Sequence, residues 1–243
     1  MSIQKNGRKY LDAVITFLYP KRCPICDGIV AITEGLICSE CERTLELIGE
    51  NSCLKCGKEL KAKEDEFCYD CKTKHHEFVR GKILFRYETV KGSLYRFKYM
   101  GRVEYAEFYG ELMFRRFGTE IMTWKPDAIV AVPLHSSRLR KRGYNQAQCI
   151  ADVLGRKTGI PVYKKWIKRC KKTIPQKELD GVARQNNLKK AFKIIENDVK
   201  LETIVMINDI YTTGSTIDAI ARECKSHGVK NVYFLALASG AGF

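Results

Sequence analysis

Residues 204–216, IVMINDIYTTGST, decide how the rest of the chain is read. Ile204 to Ile207 are consecutive apolar residues, the pattern of a parallel strand buried on both faces. Polarity then changes abruptly at Asn208 and Asp209, and small hydroxyl residues surround Gly214. Beyond them Ile217, Ile220, Ala221 and Cys224 fall at helical spacing. The stretch predicts a strand, a loop and a helix N-terminus. Such a loop aims backbone N–H groups at one spot, where the helix dipole favours negative charge. Thr212, Thr213, Ser215 and Thr216 add hydroxyl donors, and Gly214 permits close backbone approach. The loop suits a phosphate, with Asn208 and Asp209 placed for the hydroxyls of an attached sugar. Strand-to-helix turns rich in Thr and Gly also occur with nothing bound, so the turn alone leaves both readings open.

The 243 residues provide for one medium domain and one small one, and 45% apolar content is enough for a core. The formal charge of +15 is unevenly spread. Residues 1–80 hold 13 Lys/Arg and 13 Asp/Glu, whereas 138–190 hold 16 against 3. That second segment is a concentrated anion attractor, suited to a polyphosphate or a nucleic-acid backbone. No apolar run approaches the roughly 20 residues of a membrane span. The N-terminus lacks the cleavage site of a signal peptide. Leu11, Val14, Ile15 and Leu18 instead predict a short docking helix over residues 1–20, ended by Pro20. A cytoplasmic location with reduced cysteines is expected.

Eight of the 11 cysteines lie in four C-x2-C pairs: Cys23/Cys26, Cys38/Cys41, Cys53/Cys56 and Cys68/Cys71. Adding 30 to the first four positions gives the last four, an internal duplication. Two thiolates two residues apart grip a metal from a tight knuckle, and a second knuckle closes the tetrahedron. Two structural zinc ions are expected, in a double zinc ribbon over 21–78. Taken in chain order, Cys23, Cys26, Cys38 and Cys41 would hold one, and Cys53, Cys56, Cys68 and Cys71 the other; spacing alone leaves interleaved pairing open. Disulfides, a redox pair and an iron site fit the regular array less well. His75 and His76 are expected at the surface.

From residue 79 to 243 an α/β domain is expected. Lys82–Tyr87 and Asp127–Pro133 predict strands, as does Val232–Ala238 after the helix stop at Gly228. SLYRFKYM at 93–100 interleaves aromatics with cations. It is compatible with base stacking, or with an amphipathic helix that partly buries Leu94, Phe97 and Tyr99, which is preferred. Tyr105–Phe117 and a run from Asn145 predict further helices. Arg138, Arg140, Lys141 and Arg142 crowd a loop at a strand's carboxyl end, where open α/β sheets bind ligands. Residues 164–190, dense in charge and broken by Pro175 and Gly181, read as a mobile basic flap.

The acid followed by T-T-G-x-T at 209–216 resembles the ribose-phosphate loop of type I phosphoribosyltransferases. Together with RCPIC at 22–26 and its partner knuckles, FKYMGR at 97–102, VPLHSSRLRKRGYNQAQ at 132–148 and QKELDGVARQNNLKKAF at 176–192, the chain resembles the ComF (ComFC) family of late-competence proteins. The resemblance implies a mainly parallel sheet of type I phosphoribosyltransferase kind, flanked by helices and preceded by a metal-stabilised double zinc ribbon. It implies phosphoribosyl pyrophosphate with Mg²⁺ as ligand. Asn208 and Asp209 would hold the ribose, and Tyr211, Thr212, Thr213, Gly214, Ser215 and Thr216 the sugar phosphate. Arg138, Arg140, Lys141 and Arg142 would hold pyrophosphate, with Lys98 and the flap's Arg184 also at the ligand. Asn208 stands where the wider family has the first of two acids, removing a charge that bears on turnover more than on binding. The implied role is handling of single-stranded DNA in transformation, with a helicase-like or recombination protein as partner. The competing function is an active phosphoribosyltransferase of nucleotide metabolism.

Overall fold

The computed structural model describes residues 20–31, 34–170, 191–195 and 199–240. The expected helix over 1–20 and the part of the flap carrying Arg184 lie outside them. The apolar run at 204–207 sits at the centre of a four-stranded sheet. Its strands are β1 (Arg80–Arg86), β2 (Ala128–Ala131), β5 (Thr203–Tyr211) and β6 (Asn231–Ser239), in the order β1-β6-β5-β2. Every pairing is parallel, with Val205 opposite Tyr233 on one side and Ile129 on the other. Val162 adds a parallel bridge to Ile129 beyond β2. The short β3 (Ile167–Arg169) and β4 (Phe192–Ile194) form a separate antiparallel ribbon.

Side-chain alternation on these strands divides the core into two layers. Ile129, Val205, Ile207, Leu235 and Leu237 face α3 (Tyr87–Tyr99), α4 (Tyr105–Trp124) and α6 (Gln146–Thr158). Val130, Ile204, Met206, Phe234 and Ala236 face α7 (Ser215–Ser226) and the β3–β4 ribbon. The mainly parallel sheet with helices on both faces, behind a double ribbon, is the architecture expected from sequence.

The ribbon units, whose short helices are α1 (Ser39–Thr44) and α2 (Tyr69–Thr73), straddle β1. The first contributes Cys23, Val30, Ile37 and Cys41 to one core layer, and the second contributes Ile48, Cys53, Cys56 and Leu60 to the other. Backbone bonds from Ile48 N–H to Leu84 O (2.9 Å) and from Gly81 N–H to Lys55 O (2.8 Å) cover part of the free edge of β1. Exposed edges template unwanted strand pairing, and this cover blunts that hazard. Gly57 makes the approach possible: a Cβ there would lie 2.8 Å from the Lys82 Cα.

Two local expectations change. The Arg138–Arg142 segment is not a loop but the helix α5 (Ser136–Arg142). His135 caps its start, accepting the Ser137 N–H, Gly143 ends it in the left-handed region at φ 79°, and its last-turn cations complement the helix dipole. The segment 164–170, read as part of a mobile flap, instead supplies β3. Trp166 and Ile167 are buried with Phe192 and Ile194, so apolar residues among the lysines anchor the described base of that segment.

Candidate functional site

The chain leaves β5 through α7 toward β6, and leaves β2 through α5 and α6 toward Val162 on the other side. Neighbouring strands whose connections depart in opposite directions open a crevice at their carboxyl ends, the usual ligand position in open α/β sheets. Pairing between β2 and β5 stops at Ala131 and Ile207, so Asn208 onward faces that crevice on the β2 side.

Asp209 stands at its floor. One carboxylate oxygen accepts the Ile210 N–H at 2.7 Å, and the other lies 2.5 Å from the Lys98 ammonium. The two side chains are 22% and 11% exposed, so the pair is largely withdrawn from water. Burial pushes the Asp209 carboxyl upward, but Lys98, the Ile210 N–H and the field of Arg142 outweigh it and hold the carboxyl below its ordinary range. Asn208 is buried, and both ends of its amide are bonded locally. It donates to Ile210 O at 2.7 Å and accepts the Asp209 N–H at 3.0 Å. Its visible task is to shape the end of β5.

Past Tyr211, Gly214 adopts φ 81° and opens α7 with no side chain capping the helix. The first intrahelical bond runs from Asp218 N–H to Gly214 O at 2.8 Å. The N–H groups ahead of it are the orphan donors of a helix start. Thr213 and Ser215 hydroxyls are 2.8 Å apart, and Thr212, Thr213, Ser215 and Thr216 are all partly exposed. The hydroxyl-rich turn is therefore open rather than sealed.

Tyr211 points the other way. Its ring is buried, stacked on Phe234 at 4.8 Å and edge-on to Phe78, with the Lys58 ammonium 5.6 Å from its centre. Burial raises its phenol far above the ordinary range. His76, expected at the surface, is buried as well. Its Nδ1 is 2.8 Å from an Asp218 oxygen, while the other oxygen accepts the Glu77 N–H at 2.9 Å. A Cβ on Gly214 would come within 2.8 Å of the Tyr211 hydroxyl and 2.9 Å of the His76 ring. Only glycine fits between the hydroxyl-rich turn and the tail of the second ribbon. Sequence reasoning missed Asp218 and His76, because the pair spans residues far apart in the chain.

The opposite wall comes from α5 and the YNQ residues after it. Arg138, Arg140 and Lys141 are exposed. Arg142 is half-buried, donating to Gln146 Oε1 at 3.0 Å and to the Tyr99 hydroxyl at 3.2 Å. Burial, with the charge of Arg138 adding to it, pulls Arg169 down to about 10. Tyr144 and Gln146 both donate to Phe97 O at the end of α3, and Asn145 caps α6 while donating to Val132 O at 3.0 Å. This clasp ties α3, β2 and α6 together. It holds Lys98 and Arg142 over Asp209.

The eight thiols gather as two separate groups in chain order, Cys23/26/38/41 and Cys53/56/68/71, with all sulfurs of a group within 4.8 Å of one another. That arrangement settles the pairing as sequential. Cys26 to Cys38 and Cys56 to Cys68 sulfur distances are both 3.7 Å. Tetrahedral zinc with bonds of about 2.3 Å separates sulfurs by about 3.8 Å, so both sets fit the ion. Four protein ligands leave no open position, which makes these structural rather than catalytic sites. The first knuckle is gripped from α3 and α4. Arg96 donates to Ile25 O at 2.6 Å, and the Tyr105 hydroxyl donates to Asp27 at 2.7 Å.

Residues 14–72 match the family model described as a double zinc ribbon domain. A hypoxanthine phosphoribosyltransferase from Staphylococcus aureus aligns over 55% of this chain and 64% of its own, at 14% identity and a TM-score of 0.34. Much longer stretches match by sequence. The chain is 29% identical to competence protein F of Haemophilus influenzae over 223 residues, covering 89% of this chain and 96% of the relative. It is 28% identical to competence protein ComFC of Streptococcus pneumoniae over 212 residues (84% and 88%). Against the DNA utilization protein YhgH of Salmonella typhimurium identity is 30% over 220 residues, 88% of this chain and 94% of the relative. With ribbon and sheet both inside these matches, the chain belongs to the ComF family of competence proteins.

Proposed function

We propose that this protein serves in DNA uptake and use, and that the crevice between β5 and β2 binds phosphoribosyl pyrophosphate, or a related ribose phosphate, with Mg²⁺. The observation that carries the reading is the uncapped start of α7 behind Gly214, open to solvent and lined by hydroxyls, a few residues of chain from the half-buried Asp209. The sugar phosphate would lie on the α7 N–H groups and the hydroxyls of Thr212, Thr213, Ser215 and Thr216. Asp209 would take the ribose hydroxyls, exchanging its bond with Lys98 for them. Lys98 and Arg142 would then face the diphosphate, with Arg138, Arg140 and Lys141 further out. Bound Mg²⁺ would supply charge neutralisation to the diphosphate oxygens. Binding is favoured over turnover because position 208 offers an amide already bonded to backbone, in place of a second carboxylate. A thermal-shift titration tests this. Phosphoribosyl pyrophosphate with Mg²⁺ should raise the unfolding temperature of the parent and leave Asp209→Asn unmoved; an equal rise in both removes Asp209 from the site and the reading with it.

The names of the relatives, one concerned with competence and one with DNA utilization, support a role in handling single strands. So do the exposed cations of α5. Each phosphate contact on a single strand contributes about 0.7 to the slope of log affinity against log salt. Changing Arg138, Arg140 and Lys141 together to glutamine should flatten that slope by about 2. An unaltered slope would exclude α5 from the DNA path.

A further inference from the structure

The last turn of α3 exposes aromatic surface beside the crevice. Tyr95 is 59% exposed, Tyr99 53% and Met100 55%. Of the three residues expected to be partly buried, Leu94 and Phe97 go fully into the core, while Tyr99 turns more than half outward with Tyr95, four residues before it. The two tyrosine rings have centroids 5.2 Å apart and are tilted by 49°. The Arg142 guanidinium carbon lies 5.0 Å from the Tyr99 ring centre, and the same side chain bonds the Tyr99 hydroxyl. Lys98, the residue before Tyr99 on the same helix, meets Asp209 at 2.5 Å, so the aromatic pair stands next to the proposed sugar-phosphate crevice. Acids close by in sequence are already matched: Glu88 pairs with Lys91, and Glu104 with Arg102. The patch therefore offers exposed π faces within a rim that is net cationic through Arg142 and α5.

That combination selects its ligand. Contiguous exposed apolar surface marks a binding face. An apolar protein partner gains nothing from a cationic rim, and a duplex keeps its base faces stacked inside. A single strand presents both unstacked bases and phosphates. We propose that Tyr95 and Tyr99, braced by Arg142, are a stacking platform that takes unpaired bases of single-stranded DNA, while the cations of α5 follow its backbone. This rests on the reading that the chain handles single strands, and adds to it a specific contact made through base faces rather than charge.

The test compares two probes of equal charge on the full zinc-loaded chain: an oligothymidylate of about 15 nucleotides and an abasic deoxyribose-phosphate strand of the same length. The parent should bind the oligothymidylate more tightly. Tyr95→Leu with Tyr99→Leu should weaken that binding by about ten-fold or more, since stacked bases each contribute appreciably. Binding to the abasic strand, and the salt slope, should stay as they were. The Tyr95→Phe, Tyr99→Phe pair should retain tight binding. Both rings are at the surface, and an unchanged unfolding temperature confirms intact folding. Equal binding of the two probes by the parent would overturn the platform alone, as would a tyrosine variant that loses affinity equally for both. A parent that binds neither probe would overturn the single-strand reading as well, leaving the phosphoribosyl pyrophosphate titration to stand or fall by itself.

Discussion

Replacing Cys56 by serine should lower bound zinc from two ions per chain to one and destabilise far more than the second ribbon. Cys56 is fully buried and sits 3.7 Å from Cys68. Structural zinc binding contributes about 10–16 kcal/mol to small metal domains, as much as the whole stability of an ordinary fold, about 5–15 kcal/mol. The consequence spreads because this ribbon has no core of its own. Cys53, Cys56 and Leu60 share a cluster with Phe78, Ile83 and Phe234, and Gly57 rests on the backbone of β1. The ribbon's tail also carries His76 and Glu77, which hold Asp218 in the first turn of α7. We expect the unfolding temperature to fall by about 10 °C or more. Amide hydrogens at Asp218–Ala221, the first bonded amides of α7, should exchange faster, because their helix start loses its support. A Cys26→Ser variant, altering the first ribbon on the opposite side of the sheet, should also lose one zinc ion but leave the exchange at Asp218–Ala221 much closer to the parent. Metal analysis together with hydrogen-exchange mass spectrometry decides the matter. Parent-like exchange at α7 in Cys56→Ser would show that the second ribbon does not support the hydroxyl-rich turn.

Changing Lys98 to methionine should destabilise the protein by about 3–5 kcal/mol at neutral pH, the usual consequence of stranding one member of a buried ion pair. The stem length is nearly preserved, so the loss is of charge more than of packing. In the parent, the Asp209 carboxyl is held below its ordinary value. Its contribution to stability is therefore complete above the unfolded-state pKa of about 3.9, and is lost as pH falls through the lower folded-state value. Without Lys98 the burial that pushes this carboxyl upward is opposed only by the Ile210 N–H and Arg142. The group then titrates higher, and protonating it relieves the buried charge. The variant's deficit should be largest near pH 7 and shrink as pH approaches 4. Denaturant unfolding across that range measures it, and a deficit that does not change with pH would assign the loss to packing. The double variant Lys98→Met, Asp209→Asn should recover part of the stability, since no charge is then left alone.

Metal ligation and regular secondary structure are short-range properties, and both were legible in the chain. Ligand spacing marked eight cysteines, and apolar runs marked strands at 127–133 and 204–207; the first is observed as Ala128–Ala131, and the second continues through the polar residues as Thr203–Tyr211. A Gly set among hydroxyls before a helical repeat marked the open turn at 212–214. Spacing could not choose between sequential and interleaved zinc sites, because a tetrahedron accepts any two knuckles that packing brings together; the folded ribbons made that choice.

Long-range partners were hidden for the same reason. Nothing near His76 in sequence indicates that it lies beneath Gly214, and nothing near Phe97 indicates that Tyr144 and Gln146 donate to its carbonyl oxygen. The basic run at 138–142 became a helix through its caps, and Tyr99 reached the surface although helical periodicity allowed it a place near the core. Sequence by itself determined which residues could ligate metal, span the sheet or open a helix toward an anion, since each depends on neighbours within a few positions. Tertiary structure alone decided which cation meets Asp209, which ribbon supports the turn and which aromatics face water, because those depend on distant segments competing to fill the same space.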